Sequence, residues 1–329
     1  MTTRNVVGAE LLAPPRALRV GTRGSKLALA QATQVVGALR ATWPGRAFDV
    51  QIITTQGDVR TDVPLAAIGG RGVFAAELEQ ALRRGEIDVA VHSGKDLPST
   101  LAPEFALGAF PEREDPRDVV VTRGPTLADL PPGAVLGTSS PRRAAEVRQL
   151  RPDLDVRDIR GNVDTRLRKL DEGQYDAILL AAAGLRRLGL AGRITEYLST
   201  DLMLPMVSQG AIAIETRADD RDALAAVAPL DHAPTRTAVT AERAFLARLG
   251  AGCTAPVAAH ARLLDGGTLQ LDAMIGALDP ALGLAPVRGR LSAPADDPAA
   301  LGRALAEQLI ANGGEALMRA AGARPAAVA

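Results

Sequence analysis

Short apolar β-like runs alternate with helix-spaced amphipathic stretches through most of this chain, and that alternation restricts it to α/β layers around a mainly parallel sheet. "ALRVGTR", "FDVQIITT" and "IDVAVHS" read as strands, while Ala28, Ala32, Val35, Val36 and Leu39 fall on one helical face, as do Phe74, Leu78 and Leu82. The charged, proline-bearing "PEREDPRD" (Pro111 to Asp118) is aperiodic and predicts a crossing between domains. A second unit follows, with strands in "DVVVTR", "AVLGTSS", "LDVRDIR" and "DAILLAA" and helices starting near Pro141, Val163 and Leu185. "LMLPMVSQGAIAIET" reads as a return strand and "DHAPTRT" as a further boundary. The remainder predicts a small third domain: a helix in "AVTAERAFLARLGAG", antiparallel strands in "VAAHARLL", "LQLDAMIGAL" and "PVRGRLSA", then one long helix. With 329 residues, two or three domains are expected at roughly 150 residues each.

The 38 basic and 38 acidic residues cancel, so no global field draws the chain to nucleic acid or an anionic membrane. No apolar run approaches the roughly 18 residues of a membrane span, and the first residues lack a signal-peptide core. The reading is a soluble, cytoplasmic protein. One cysteine, Cys253, excludes internal disulfides, and His92, His232 and His260 are too scattered for a metal site. Only Lys26, Lys95 and Lys169 are lysines, so arginine is the compositional habit and a lysine is the more informative cation.

Local charge is another matter, because the stretch from Thr138 to Arg168 holds eight arginines. Several stand at strand-to-helix junctions. Ser25 is a natural N-cap with Arg23 before it; Ser140 caps, Pro141 fits the first helical position, and Arg142 and Arg143 lie in the first turn. Asn162 is a third cap, with Arg160 before it and Arg166 one turn in. A helix N-terminus already carries about half a positive charge, so cations there call for a negative partner. Free backbone N–H groups, hydroxyls and guanidiniums at the carboxyl ends of strands form an anion site, suited to a ligand with several carboxylates or phosphates. Single-stranded nucleic acid would need stacking platforms, but aromatics are 2% of the chain and none lies in this stretch. "GTRGSK" and "IGGRGVF" match neither the Walker pattern nor the dinucleotide fingerprint. Arg148, Arg151, Arg157 and Arg168 read as surface or structural residues.

"VAVHSGKDLP" puts Lys95 and Asp96 just past a strand end. A carboxylate among converging arginines would be neutralised unless the chemistry creates a cation beside it, so Asp96 is a candidate for stabilising positive charge or moving a proton. Lys95 is open to a Schiff-base reading. Cys253, in "LGAGCTAPVAA", is either a small buried hydrophobe or a thiol left accessible by its glycine neighbours. Three functions remain: an enzyme acting on a polycarboxylate, a two-lobed polycarboxylate-binding module without chemistry, and a pyridoxal enzyme using Lys95.

"TRGSKLALAQ", "TQGD", "IGGRGVFAAELE", "DVAVHSGKDLP", "EREDPRD", "GTSSPRR", "DIRGNVDTRLRKL", "AAAGLRRLGL", "VSQGAIAIE" and "LGAGCTAPVAA" together closely resemble the porphobilinogen deaminases, also called hydroxymethylbilane synthases, in the correct order from about Val20 to Ala259. The resemblance implies condensation of four porphobilinogen molecules, head to tail with release of ammonia, into hydroxymethylbilane for tetrapyrrole (haem) synthesis. It implies a dipyrromethane cofactor joined by a thioether to Cys253, with Asp96 as the catalytic aspartate whose carboxylate stabilises the pyrrole cations. It makes Arg23, Ser25, Lys95, Thr138, Ser139, Arg142, Arg143, Arg160, Arg166 and Arg187 the partners of cofactor and substrate carboxylates, with Gln209 lining the cleft. The implied fold is two lobes like those of a periplasmic binding protein around a cleft, plus a small α/β domain with an antiparallel sheet. The corresponding boundaries are 1–112 with 208–232, 113–207, and 233–329. A mobile lid from Gly57 to Phe74 and a monomeric state are also implied. Departures from the family pattern are Arg71 and Ala67 where lysines occur, Gly94 where a bulkier residue stands, and Pro141 for leucine.

Overall fold

The computed structural model describes residues 16–55, 75–250, 255–277 and 284–320. The first sheet has five strands in the order β2-β1-β3-β10-β4: β1 (Leu18–Arg23), β2 (Phe48–Ile53), β3 (Val89–Ser93), β4 (Phe105–Ala109) and β10 (Ile212–Arg217). β1 runs parallel to β2 and β3, whereas β10 is antiparallel to both of its neighbours. The second sheet repeats this plan as β7-β6-β8-β5-β9, from β5 (Asp118–Thr122), β6 (Val135–Gly137), β7 (Asp155–Arg157), β8 (Ala177–Ala181) and β9 (Glu196–Tyr197). Here β6 is parallel to β7 and β8, and β5 enters antiparallel. Each sheet therefore receives one strand from a chain arriving out of the other lobe, so two crossing segments join the lobes.

Helices follow the parallel strands, as right-handed βαβ connections require. In the first lobe α1 (Lys26–Thr42) buries Ala28, Ala32, Val35, Val36 and Leu39, the face the sequence spacing predicts, and α2 (Ala76–Arg83) buries Leu78 and Leu82 on the opposite side. In the second lobe α3 (Pro141–Leu150), α4 (Val163–Asp171) and α5 (Ala182–Arg187) follow β6, β7 and β8. Separate apolar clusters form on the two faces of each sheet, so both sheets are covered on both sides. After α6 (Arg221–Val227) comes α7 (Ala233–Leu249), which packs with α8 (Pro298–Leu309) on an antiparallel sheet of β11 (Val257–Leu263), β12 (Thr268–Ile275) and β13 (Val287–Pro294). Among the described residues no helix is long and apolar enough to cross a membrane.

The sequence reading needs correction at several places. Only Ile212–Arg217 of the expected return strand is extended. The preceding residues form turns and irregular backbone, and Ser208 and Gly210 take φ values of 60° and 89°, outside the β region. α7 begins at Ala233, inside the expected boundary "DHAPTRT", since Pro234 fits a first-turn position where its missing N–H costs nothing. The helix expected near Leu185 starts at Ala182. The expected final long helix breaks at Asn312 and Gly313, the latter with φ of 106°, and resumes as α9 (Glu315–Ala320). The expected lid from Gly57 to Phe74 lies outside the described residues.

Candidate active site

The expected residues gather where the carboxyl ends of the parallel strands in one lobe face those in the other. Arg23 ends β1, and Ser25 caps α1 by accepting a hydrogen bond from Ala28 N at 3.3 Å. β3 gives way to a tight 3-10 turn, Gly94–Asp96, which carries Lys95 and Asp96. The Asp96 carboxylate is 30% exposed and lies 3.9 Å from an Arg23 Nη, loose enough for another cation to approach.

The second lobe presents its own helix starts. Ser140 caps α3 by accepting from Arg143 N, and Pro141 takes the first-turn position. Asn162 caps α4 through its backbone alone, with Arg166 N donating to Asn162 O at 3.0 Å. Thr138 Oγ1 accepts from Ser140 N, and Ser139 Oγ donates to Ile159 O, tying the loop after β6 to the one after β7. The Arg166 Nε donates to Gly161 O at 2.8 Å, and Arg187 Nη2 reaches Gly210 O at 2.7 Å on the second crossing segment. Lys26 on α1 meets Asp164 on α4 at 3.0 Å, so the two lobes touch across the cleft.

The negative partner demanded by the helix-start arginines is in part internal. Asp118, at the end of the first crossing, is fully buried and lies 2.7 Å from both an Arg142 Nη and an Arg143 Nη. Arg142 also binds buried Glu146 at 3.1 Å and Leu204 O at 2.6 Å, while Arg143 reaches Leu179 O at 3.0 Å. Burial pushes Asp118 up, but Arg142 and Arg143 outweigh it and hold the carboxyl below its ordinary range. Gln209 is buried behind these groups, donating to Pro116 O at 2.8 Å and Asp118 Oδ1 at 2.9 Å, so it braces the cleft wall. Asp118 and Glu146 escaped the sequence reading, and the nearest signal was Asp118 closing the charged crossing "PEREDPRD".

Two further guanidiniums, Arg166 and Arg187, are disfavoured in their charged form. Burial, then Arg143 and Arg160, lower Arg166 to about 10, and burial lowers Arg187 to about 10. The Arg187 Nε is buried with no hydrogen-bond partner among the described residues. Lys95 is lowered to about 8 by burial and by Arg143, which places the Lys95–Asp96 turn of one lobe within electrostatic reach of the arginines of the other. A group bearing several carboxylates fits this donor set, because carboxylates would offset the burial of Arg187 and the like-charge crowding of Arg166 and Lys95. Arg148 aside, the arginines read as structural are so: Arg151 binds Leu127 O, Ala128 O and Leu130 O, Arg157 binds Asp155, and Arg168 binds Glu172. Cys253 lies outside the described residues.

Two α/β lobes that turn several under-neutralised guanidiniums and one accessible carboxylate toward a shared cleft define a polycarboxylate-handling enzyme. The family described as "Porphobilinogen deaminase, dipyromethane cofactor binding domain" matches residues 18–225, and "Porphobilinogen deaminase, C-terminal domain" matches 236–311. A porphobilinogen deaminase of Roseiflexus castenholzii is 57% identical over 302 residues, covering 92% of this chain and 98% of its own. One of Desulforudis audaxviator is 53% identical over 306 residues, with 92% and 98% covered. Among solved structures, a putative methionine-binding lipoprotein of Bacillus subtilis overlaps 65% of this chain and 89% of its own, at 11% identity and a TM-score of 0.41. The chain belongs to the porphobilinogen deaminase family, enzymes of tetrapyrrole synthesis that carry a dipyrromethane cofactor.

Proposed function

We propose that this chain joins four porphobilinogen molecules head to tail, releasing ammonia at each step, to give hydroxymethylbilane. The observation that carries the reading is the Lys95–Asp96 turn of one lobe set against Arg143 and Arg142 of the other. Every porphobilinogen brings an acetate and a propionate, so each addition supplies further anions to that cationic wall. Arg23, Arg160, Arg166, Arg187 and Lys95 hold carboxylates directly, with Ser25 and Thr138 adding hydroxyls and Ser139 its backbone N–H at the helix starts. Arg142, Arg143 and Gln209 belong to the same set and shape its floor through Asp118.

Asp96 carries the chemistry. Loss of ammonia from the aminomethyl group leaves positive charge on the pyrrole, and a fixed carboxylate stabilises that charge where water cannot. The same carboxylate takes up the proton released when the new carbon–carbon bond rearomatises the ring. The dipyrromethane, when bound, supplies an anchored pyrrole whose free end accepts the first unit. Cys253 attaches it through a thioether. The units of function are then residues 1–112 with 208–232 bearing Asp96, 113–207 bearing most carboxylate partners, and 233–329 bearing Cys253. The enzyme works as a cytoplasmic monomer.

Intact mass tests the reading. The purified chain should exceed its sequence mass by one dipyrromethane, and Cys253→Ser should remove the excess. A bare mass together with binding of porphobilinogen but no turnover, even after incubation with substrate, would favour a binding module instead.

A further inference from the structure

Gly94 and Ser208 have exchanged the usual reasons for being glycine. Among the described residues Ser208 is the single non-glycine with positive φ, at 60°, a conformation that disfavours any Cβ. Gly94 needs no such freedom; it lacks a side chain because a Cβ there would lie 3.0 Å from Ser208 Cβ and 3.3 Å from Ala211 O. Serine therefore stands where the backbone favours glycine, and glycine stands where its neighbour leaves no room.

Ser208 is fully buried, and its hydroxyl has no hydrogen-bond partner among the described residues. Its contribution is thus volume rather than polarity. Its backbone is pinned on two sides: Ser208 N donates to Glu242 Oε2 at 2.7 Å, and Ala211 N donates to Ser208 O at 3.1 Å. The adjoining Ala211 O in turn accepts from Gly94 N at 2.9 Å. A strained residue over-determined by its surroundings in this way marks a position whose geometry matters.

We propose that Ser208 is a positioning residue for Asp96: its Cβ packs under Gly94 as a stop that sets how far the Lys95–Asp96 turn stands into the cleft. Through Glu242 the stop is fixed to α7, whose C-terminus leads to the segment bearing Cys253. The proposal rests on the reading of Asp96 as the group that stabilises the reacting pyrrole.

The test compares holoenzymes whose cofactor content is verified by intact mass. Gly94→Ala should push the turn outward by a few tenths of an ångström and lower kcat several-fold, up to about ten-fold, since a full 1 Å misplacement can cost about 10²-fold. The loss should fall more heavily on kcat than on KM, because Asp96 acts in the transition state while Lys95, carried on the same turn, contributes to binding. Gly94→Ala with Ser208→Gly should recover most of kcat, whereas Gly94→Ala with Ser208→Ala, which keeps the Cβ, should not. Wild-type kcat in Gly94→Ala, or equal recovery by the two double variants, would overturn the proposal. If Gly94→Ala fails to fold, recovery of folded protein by Ser208→Gly but not by Ser208→Ala supports the same packing, and no recovery by either overturns it. A wild-type chain without adduct or turnover would count against the reading of the site, not against the pair.

Discussion

Arg113, on the segment leaving the first sheet, grips Glu242 of α7 with both Nη atoms, at 2.6 and 3.2 Å. The Glu242 carboxylate is fully buried and also accepts from Ser208 N at 2.7 Å and Ala261 N at 2.8 Å. One side chain thereby ties the first crossing, the second crossing and the three-stranded unit together. Removing one partner of such a pair strands the other charge in a low-dielectric interior. Arg113→Ala should therefore cost about 3–5 kcal/mol in urea unfolding, and Arg113→Met with Glu242→Gln should cost less than the two single changes added together. Additive losses would show that the contact does not couple the crossings.

Asp96→Asn separates chemistry from stability. Its ion pair with Arg23 is long and partly exposed, a kind worth about 0–1 kcal/mol, so unfolding should barely shift. Turnover should fall by about 10²- to 10³-fold, the usual loss when one preorganised electrostatic group is removed. Steady-state rates on protein with verified adduct check this. Near-normal kcat would remove Asp96 from its role.

The helix-start arginines should divide into two behaviours. Arg142 is committed to Asp118, Glu146 and Leu204 O, so Arg142→Ala leaves buried carboxylates under-neutralised and should cost about 3–5 kcal/mol. Arg166 is crowded by Arg143 and Arg160, and Arg166→Gln relieves that repulsion. Its cofactor-free stability should fall by no more than about 1 kcal/mol, the relieved repulsion offsetting the lost hydrogen bond to Gly161 O. Its KM should rise about ten- to a hundred-fold through loss of a charge-assisted hydrogen bond worth about 1.5–3 kcal/mol. The same urea and kinetic measurements on both variants decide it, and a reversed pattern would refute the division.

The helix starts were legible because capping is local chemistry: Ser25, Ser140 and Pro141 announce their roles within three or four residues. The floor of the site was not, because Asp118 meets Arg143 across 25 residues and Glu242 meets Arg113 across 129. Residues 202–211 were misread for a related reason. Met203, Leu204 and Val207 are apolar since they are buried where several units meet, so their hydrophobicity imitates a strand without its period. Gly210 is required at its turn, where φ is 89° and a Cβ would come within 2.3 Å of Glu114 O, a contact between two crossings that no local pattern encodes.

Lys95 gives the site a pH dependence whose sign follows from its surroundings. Burial and Arg143 lower it from 10.5 to about 8, so below pH 8 the amine is protonated in both folded and unfolded chains and the folded state bears the full penalty. Between about pH 8 and 10.5 the unfolded chain holds more protons, and this group's contribution to stability rises with pH. A bound carboxylate reverses the balance by favouring the ammonium. Porphobilinogen binding to cofactor-free Cys253→Ser protein should consequently take up a proton near pH 9, and affinity should fall by up to about ten-fold per pH unit above pH 8. Calorimetry in two buffers of different ionisation enthalpy measures the uptake. Lys95→Met should abolish it and flatten the profile; an unchanged uptake would place the titrating group elsewhere.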